Sequence, residues 1–276
     1  MPTNEGFAPM NEPFHKTTFH QSHVGADLTV SAIYRDGERE PFLFLHGFGS
    51  TKEDYADFVR QGAFDGHPFL AFDAPGCGET HCSDLSKISV SFLAEIALRV
   101  ADAAGFDRFH LVGHSMGGLA ALVLAHQNPD RVVSFVNIKG NLAPEDCFLS
   151  RQILDYPDAD NERFLNDFVG RIHGSPTFSS ALYAASLRSK VRVKAVRPIF
   201  ESMVDFSDNW DPLPKFLNLP SPKMFMFGEQ YATLSYLPAL RSYGVRLAEI
   251  PHCGHFPMYS NPPAMWREIA DFIAAA

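Results

Sequence analysis

Apolar residues along this chain follow two rhythms. Short uninterrupted runs such as Phe42-Leu43-Phe44-Leu45 and Met224-Phe225-Met226-Phe227 alternate with longer stretches in which apolar positions recur three and four residues apart. The first rhythm belongs to strands covered on both faces, the second to helices with one face on a core. Strands are predicted over 41–46, 68–72, 108–113, 131–138, 223–228 and 245–250, with 14–19 and 28–34 as an opening antiparallel pair. Helices are predicted over 90–104, 116–126 and 263–274, and Asn128-Pro129 ends the middle one, because proline cannot continue a helix. Strand–helix alternation on this scale predicts an α/β fold: a mostly parallel central sheet with helices on both faces.

The alternation lapses between about 141 and 222. That stretch lacks a buried-strand run and carries helix-like pieces at 146–154, 161–172 and 179–196. It leaves through Asp211-Pro212-Leu213-Pro214 and Leu219-Pro220-Ser221-Pro222. So long a strandless stretch exceeds an ordinary crossover, so residues 141–222 are expected to form a helical lid inserted after the sixth strand. Residues 1–140 and 223–276 would then be the core, with the lid over the C-terminal edge of its sheet.

The chain has 276 residues, and its 23 Lys and Arg against 32 Asp and Glu leave a net charge of −9. No clustered cationic surface for nucleic acid is signalled, and a small-molecule substrate is the expected partner. The uncharged stretch 111–125 is too short to span a bilayer, and the first residues carry no apolar signal-peptide core. The expectation is a protein without a membrane span, in the cytoplasm, its four cysteines reduced. The 25 Phe outnumber eight Tyr and two Trp, yet they are spread almost evenly over the lid and the remainder. They are therefore expected to be mostly core, with Phe48 and Phe256 the two near any chemistry.

The chemistry-bearing residues stand where strands end. Gly113-His114-Ser115-Met116-Gly117 lies between a strand and a helix, the setting in which small flanking residues permit a sharp turn and hold a serine hydroxyl above the sheet edge. The helix that follows points free N–H groups and its positive dipole end at that serine, which favours an anionic intermediate. After an earlier strand, His46-Gly47-Phe48-Gly49-Ser50 can turn tightly enough for the Phe48 amide to face the same point as that of Met116. A general base is needed, and His255, in Pro251-His252-Cys253-Gly254-His255-Phe256-Pro257 after the last strand, can reach Ser115; His252 is its rival. This chemistry requires neither a metal nor an organic cofactor.

Four segments, His46-Gly47-Phe48-Gly49, Asp73-Ala74-Pro75-Gly76-Cys77-Gly78, Gly113-His114-Ser115-Met116-Gly117-Gly118 and Gly254-His255-Phe256-Pro257, together resemble successive signatures of the α/β-hydrolase fold superfamily. The resemblance implies a Ser–His–acid triad, an oxyanion hole from the Phe48 and Met116 amides, and a helical cap. The acid departs from the pattern. Relatives commonly carry Gly-x-x-Asp where this chain has Gly228-Glu229-Gln230-Tyr231, and others place the acid where Lys139 stands. Glu229 is the favoured acid, with Asp146 and Glu145 as alternatives and a dyad without an acid as the remaining option. Lys139 is either a solvated strand-end lysine or a replacement for an acid. The resemblance implies a hydrolase of small carboxylic esters or lactones acting through an acyl-enzyme. A carbon–carbon bond hydrolase, a cofactor-free perhydrolase or a ligand sensor with slight turnover are the alternatives. Serine at position 115 disfavours the aspartate-nucleophile haloalkane dehalogenases and epoxide hydrolases.

Overall fold

The structure is a computed structural model and describes residues 13–157 and 160–276. Its strands are β1 (His15–His23), β2 (Ala26–Arg35), β3 (Phe42–Leu45), β4 (Phe69–Phe72), β5 (His81–Cys82), β6 (Phe109–His114), β7 (Val132–Ile138), β8 (Lys223–Gly228) and β9 (Arg246–Ile250). They form a single sheet in the order β1-β2-β4-β3-β6-β7-β8-β9, with β5 paired to β2 outside that path. From β4 to β9 all neighbours are parallel, while β1, β2 and β5 are antiparallel additions at one side. The strands read as continuous apolar runs are the central parallel ones, and β3, β4 and β6 are buried along their whole length. β1 lies at the edge and is nowhere fully buried.

The helices are α1 (Val90–Ala103), α2 (Met116–Gln127), α3 (Asn161–His173), α4 (Phe178–Lys190), α5 (Val193–Asn209), α6 (Pro212–Leu217), α7 (Leu237–Ser242), α8 (Pro257–Ser260) and α9 (Pro262–Ala275). Side-chain alternation along β3 divides them between two faces. Leu45 shares a small crevice with Leu93 of α1 and with Met116 and Ala120 of α2. Phe42 and Phe44 point the other way, into an aromatic cluster with Phe58, Phe64 and Phe69 that includes Trp266 of α9. Ring centroids there are as close as 4.7 Å, between Phe58 and Phe64. Much of the Phe surplus is thus core, as its distribution along the sequence suggested.

Several elements differ from the sequence expectation for identifiable reasons. The strand β5 went unread because it is only two residues long, too short to carry an alternating pattern. The strand counted as sixth is therefore β7. The single helix expected over 179–196 is two, α4 and α5. At the break, Val191 bridges to Cys77, and the Arg192 amide donates to the Gly76 carbonyl at 2.9 Å. Docking on that core loop outweighs helical continuity. The piece expected at 146–154 is a pair of 3₁₀ turns, Pro144–Cys147 and Ser150–Asp155, and the Pro-punctuated exit contains the short helix α6.

Parallel strands bring their C-terminal ends to one edge, where ligands of open α/β sheets bind. Here the loops after β3, β6, β7, β8 and β9 meet, and the helices between β7 and β8 lie over them. The Tyr183 hydroxyl of α4 donates to the Phe48 carbonyl at 2.6 Å, and the Gly78 amide donates to the Lys190 carbonyl at 2.8 Å.

Candidate active site

Ser115 sits between β6 and α2 with φ 52° and ψ −119°, a conformation that strains any residue with a Cβ. The strain is held from both sides. The Ser115 amide donates to the Ile138 carbonyl at 3.0 Å, and its own carbonyl accepts from the Leu119 amide at 3.0 Å, starting the helix. Close backbone approach explains the glycines. A Cβ on Gly117 would lie 2.4 Å from the Leu45 carbonyl oxygen and 2.5 Å from that of His46, so α2 begins in direct contact with the end of β3. A Cβ on Gly47 would fall 2.7 Å from His114 Nδ1 and 3.2 Å from Ser115 Cβ. The segment that carries the Phe48 amide therefore lies against the serine, and Met116 is the first residue of α2.

Two histidines with fixed tautomers brace this arrangement. His46 donates from Nδ1 to the Gly47 carbonyl at 2.7 Å and accepts the Ala74 amide on Nε2 at 2.9 Å, joining the loop after β3 to the loop after β4. The second loop is anchored by Asp73, whose carboxylate accepts from the Lys52 amide at 2.9 Å, the Lys52 ammonium at 2.8 Å and the Glu79 amide at 2.8 Å. His114 lies 2.8 Å from the His255 carbonyl through Nε2, which must carry the proton because a carbonyl only accepts. Burial lowers the His114 pKa to about 4, so this ring is neutral and fixes the backbone of residue 255.

His255 lines the same cavity as Ser115. Its ring makes no hydrogen bond to the serine hydroxyl, and contacts of this kind often tighten only when substrate binds. Burial, with the neighbouring His114 and Lys139, holds its pKa well below the usual histidine value. It is therefore a neutral imidazole at neutral pH. The rival His252 is exposed at the surface with φ 55° and does not line the cavity.

The acid candidates are all engaged elsewhere or remote. Glu229 is exposed and its carboxylate has no hydrogen bond or ion pair among the described residues. Glu145 accepts from the amide and hydroxyl of Ser235 at 3.1 and 2.6 Å. Asp146 does line the cavity, its side chain fully buried, but its oxygens are taken. One accepts from the amides of Leu142 and Ala143 at 2.8 and 3.0 Å. The other accepts from the Tyr236 hydroxyl at 3.0 Å and the Lys139 ammonium. Lys139 itself, at the end of β7 with φ 47°, is 5% exposed, so the solvated strand-end alternative does not hold. Its ammonium also stands 4.8 Å from the centre of the Tyr231 ring. What meets His255 Nδ1 is the Tyr231 hydroxyl, at 3.5 Å.

The cavity has a volume of about 350 Å³. Phe48, Phe148, Phe168, Phe200, Phe256, Tyr183, Ile172 and Met203 give it largely apolar walls, while Lys139, Asn141, Asp146 and Gln230 gather polar groups near the β7 and β8 ends. Sequence reasoning found Phe48 and Phe256 here but missed Phe148, Phe168 and Phe200, because density along the chain does not report which face of a helix meets a cavity. Tyr183 and Tyr231 were likewise unassigned, although Tyr231 stands at the position where an aspartate was expected. Among the described residues no helix is long and apolar enough to cross a membrane, and no group of three or more His, Cys, Asp or Glu could hold a metal ion.

Over residues 42–268 the chain matches the Alpha/beta hydrolase family. It is 26% identical over 271 residues to the 2-hydroxy-6-oxononadienedioate/2-hydroxy-6-oxononatrienedioate hydrolase of Paraburkholderia phymatum, covering 90% of this chain and 92% of that protein. It is 35% identical over 107 residues to the dihydrolipoyllysine-residue acetyltransferase component of the acetoin cleaving system of Cupriavidus necator, and that match spans only 39% of this chain and 28% of the relative. Among solved structures, an N-acyl homoserine lactonase complexed with N-butanoyl homoserine shares the fold with a TM-score of 0.69 at 16% identity, covering 94% of this chain and 96% of that one.

Proposed function

The chain belongs to the alpha/beta hydrolase family, and from that premise we propose that it hydrolyses small carboxylic esters or lactones through an acyl-enzyme on Ser115. The observation that carries this reading is the strained Ser115, held between β6 and α2 and facing a cavity that His255 also lines. The Ser115 hydroxyl attacks the acyl carbon and its proton passes to His255 Nε2. The amides of Phe48 and Met116 bind the oxyanion, a contribution of about 3 kcal/mol for each well-placed donor. The protonated His255 returns its proton to the leaving alkoxide. Water then attacks the acyl-enzyme with His255 as base, releasing the acid and restoring the serine.

The substrate class rests on the cavity. At about 350 Å³ it lies near the lower end of the roughly 300–1,000 Å³ usual for small-molecule sites, and its walls are largely apolar. A short acyl chain or an aromatic acyl group fits such walls better than a long lipid. The helices between β7 and β8 act as the cap in this reading, since Tyr183, Phe168 and Phe200 close the cavity above Ser115.

The test is covalent labelling with a fluorophosphonate, followed by turnover of p-nitrophenyl esters of increasing acyl length. The parent is expected to label and Ser115→Ala is not, with turnover falling by on the order of 10⁴-fold or more. Equal labelling of both proteins would refute the assignment. The match to the Paraburkholderia phymatum relative favours carbon–carbon bond hydrolysis as a second reading. Labelling at Ser115 with no turnover of any ester, but turnover of a 2-hydroxy-6-oxo dienoate, would select it.

A further inference from the structure

We propose that Tyr231 takes the place of the missing triad acid, accepting the Nδ1–H of His255 on its phenol oxygen and so fixing the ring in the tautomer that leaves Nε2 free as the base. The inference rests on the Ser115–His255 reading above and adds the residue that orients its base. Three observations carry it. The Tyr231 hydroxyl is the side-chain group that meets His255 Nδ1, at 3.5 Å. Among the described residues no carboxylate hydrogen-bonds this nitrogen, because Glu229 is out in solvent and Asp146 is bound to Lys139, Tyr236 and two backbone amides. Finally, the two rings meet edge to face, with centroids 6.0 Å apart and 69° between their planes.

The chemistry follows from the donor inventory. A neutral imidazole carries one proton, and a base at Nε2 must hold it on Nδ1. The phenol oxygen accepts that Nδ1–H while the Tyr231 proton remains its own, since burial pushes the Tyr231 pKa up to about 12. When the Ser115 proton arrives at Nε2, the resulting imidazolium still shares Nδ1–H with the phenol oxygen, and no proton leaves Tyr231. A neutral acceptor gives orientation with less stabilisation of the cation than a carboxylate provides. The positive neighbour explains the replacement. The Lys139 ammonium lies over the Tyr231 ring, and a carboxylate at position 231 would be drawn to it as well as to the histidine. The charged or titratable groups around the ring are His114 from β6, Lys139 and Asp146 from the β7 side and Tyr231 itself after β8.

Nitrogen-15 NMR of the His255 ring, assigned by its loss in His255→Gln, reads the tautomer directly. The parent is expected to hold the proton on Nδ1, and Tyr231→Phe to lose that preference. A parent with the proton on Nε2 overturns the proposal. In ester turnover, Tyr231→Phe is expected to lower kcat by about tenfold with KM little changed, by analogy with loss of tautomer control in a triad. It should also move the acidic limb of the pH profile to lower pH, because the imidazolium loses an acceptor. Tyr231→Asp should move that limb to higher pH. Unchanged kcat and pH profile in Tyr231→Phe overturn the proposal, as does movement of the limb in the same direction by both variants. A parent that fails to label with fluorophosphonate removes the hydrolase reading and the catalytic use of the contact. The tautomer measurement still decides whether the hydrogen bond forms as described, so the two failures are distinguishable.

Discussion

The site has two halves built on different principles. Where β3 and β6 end, position is set by close approach of the backbone: Gly117 lets main chain meet main chain at the Leu45 carbonyl, and Gly47 lets its loop lie so near the His114 ring and Ser115 Cβ that a single added carbon would collide. Where β7 and β8 end, position is set by long side chains. Lys139 reaches Asp146 and the Tyr231 ring, Asp146 reaches Tyr236, and Tyr231 reaches His255. The first half tolerates almost no substitution because nothing in it can move aside. The second accepts a different set of residues provided that its charges remain paired, and this is the half that departs from the family pattern.

The strongest test of that contrast is Asp146→Asn. It leaves the buried Lys139 ammonium without its counter-charge, and breaking a buried pair in this way costs about 3–5 kcal/mol. Urea unfolding should show that loss, while the fraction that remains folded still labels with fluorophosphonate, because the backbone half is untouched. A stability within error of the parent would mean that Lys139 has another partner. Gly117→Ala strikes the other half. Its Cβ would stand 2.4 Å from a carbonyl oxygen that belongs to the sheet and cannot rotate away. The expected destabilisation is about 1–3 kcal/mol, smaller than for Asp146→Asn. Here, however, the folded fraction should label far more slowly, since α2 and the Met116 amide must shift. If Gly117→Ala labels at the parental rate, the division between the two halves fails.

That division also governs what could be read from the sequence. The placement of Ser115, the Phe48 loop and His255 around one cavity was legible because strand-to-helix turns of this tightness demand particular small residues at particular offsets, and those demands are local. The central strands were legible for a similar reason, since burial on both faces leaves uninterrupted apolar runs. The partner of His255 was not legible. Residue 231 is two positions beyond Glu229, and the 3₁₀ turn Glu229–Tyr231 swings the tyrosine inward and the glutamate out. Asp146 was a reasonable candidate by chemistry, but its commitment to Lys139 depends on a lysine seven residues away and a tyrosine ninety residues away meeting in space. The break between α4 and α5 was hidden likewise, because it answers to the Gly76–Gly78 loop across the molecule and not to any helix-breaking residue at the break.

The smallest expected effect is the most direct check on the acid. Its place at a strand end 26 residues before His255 favoured Glu229, whereas the folded chain leaves its carboxylate exposed and unpaired among the described residues. Glu229→Gln keeps size and polarity and removes only the charge. Exposed positions of this kind change stability by less than about 0.5 kcal/mol, and a group that does not touch His255 should leave kcat/KM within about twofold of the parent across the pH range. A triad acid behaves differently, since its loss lowers kcat by on the order of 10⁴-fold. An intermediate value would also be informative. A fall of about tenfold or more, with the acidic limb of the pH profile moved to lower pH, would mean that the 3₁₀ turn rearranges when substrate binds and brings a negative charge to Nδ1. The assignment of Tyr231 would then fail together with the claim that the side-chain half of this site works without a carboxylate on its histidine.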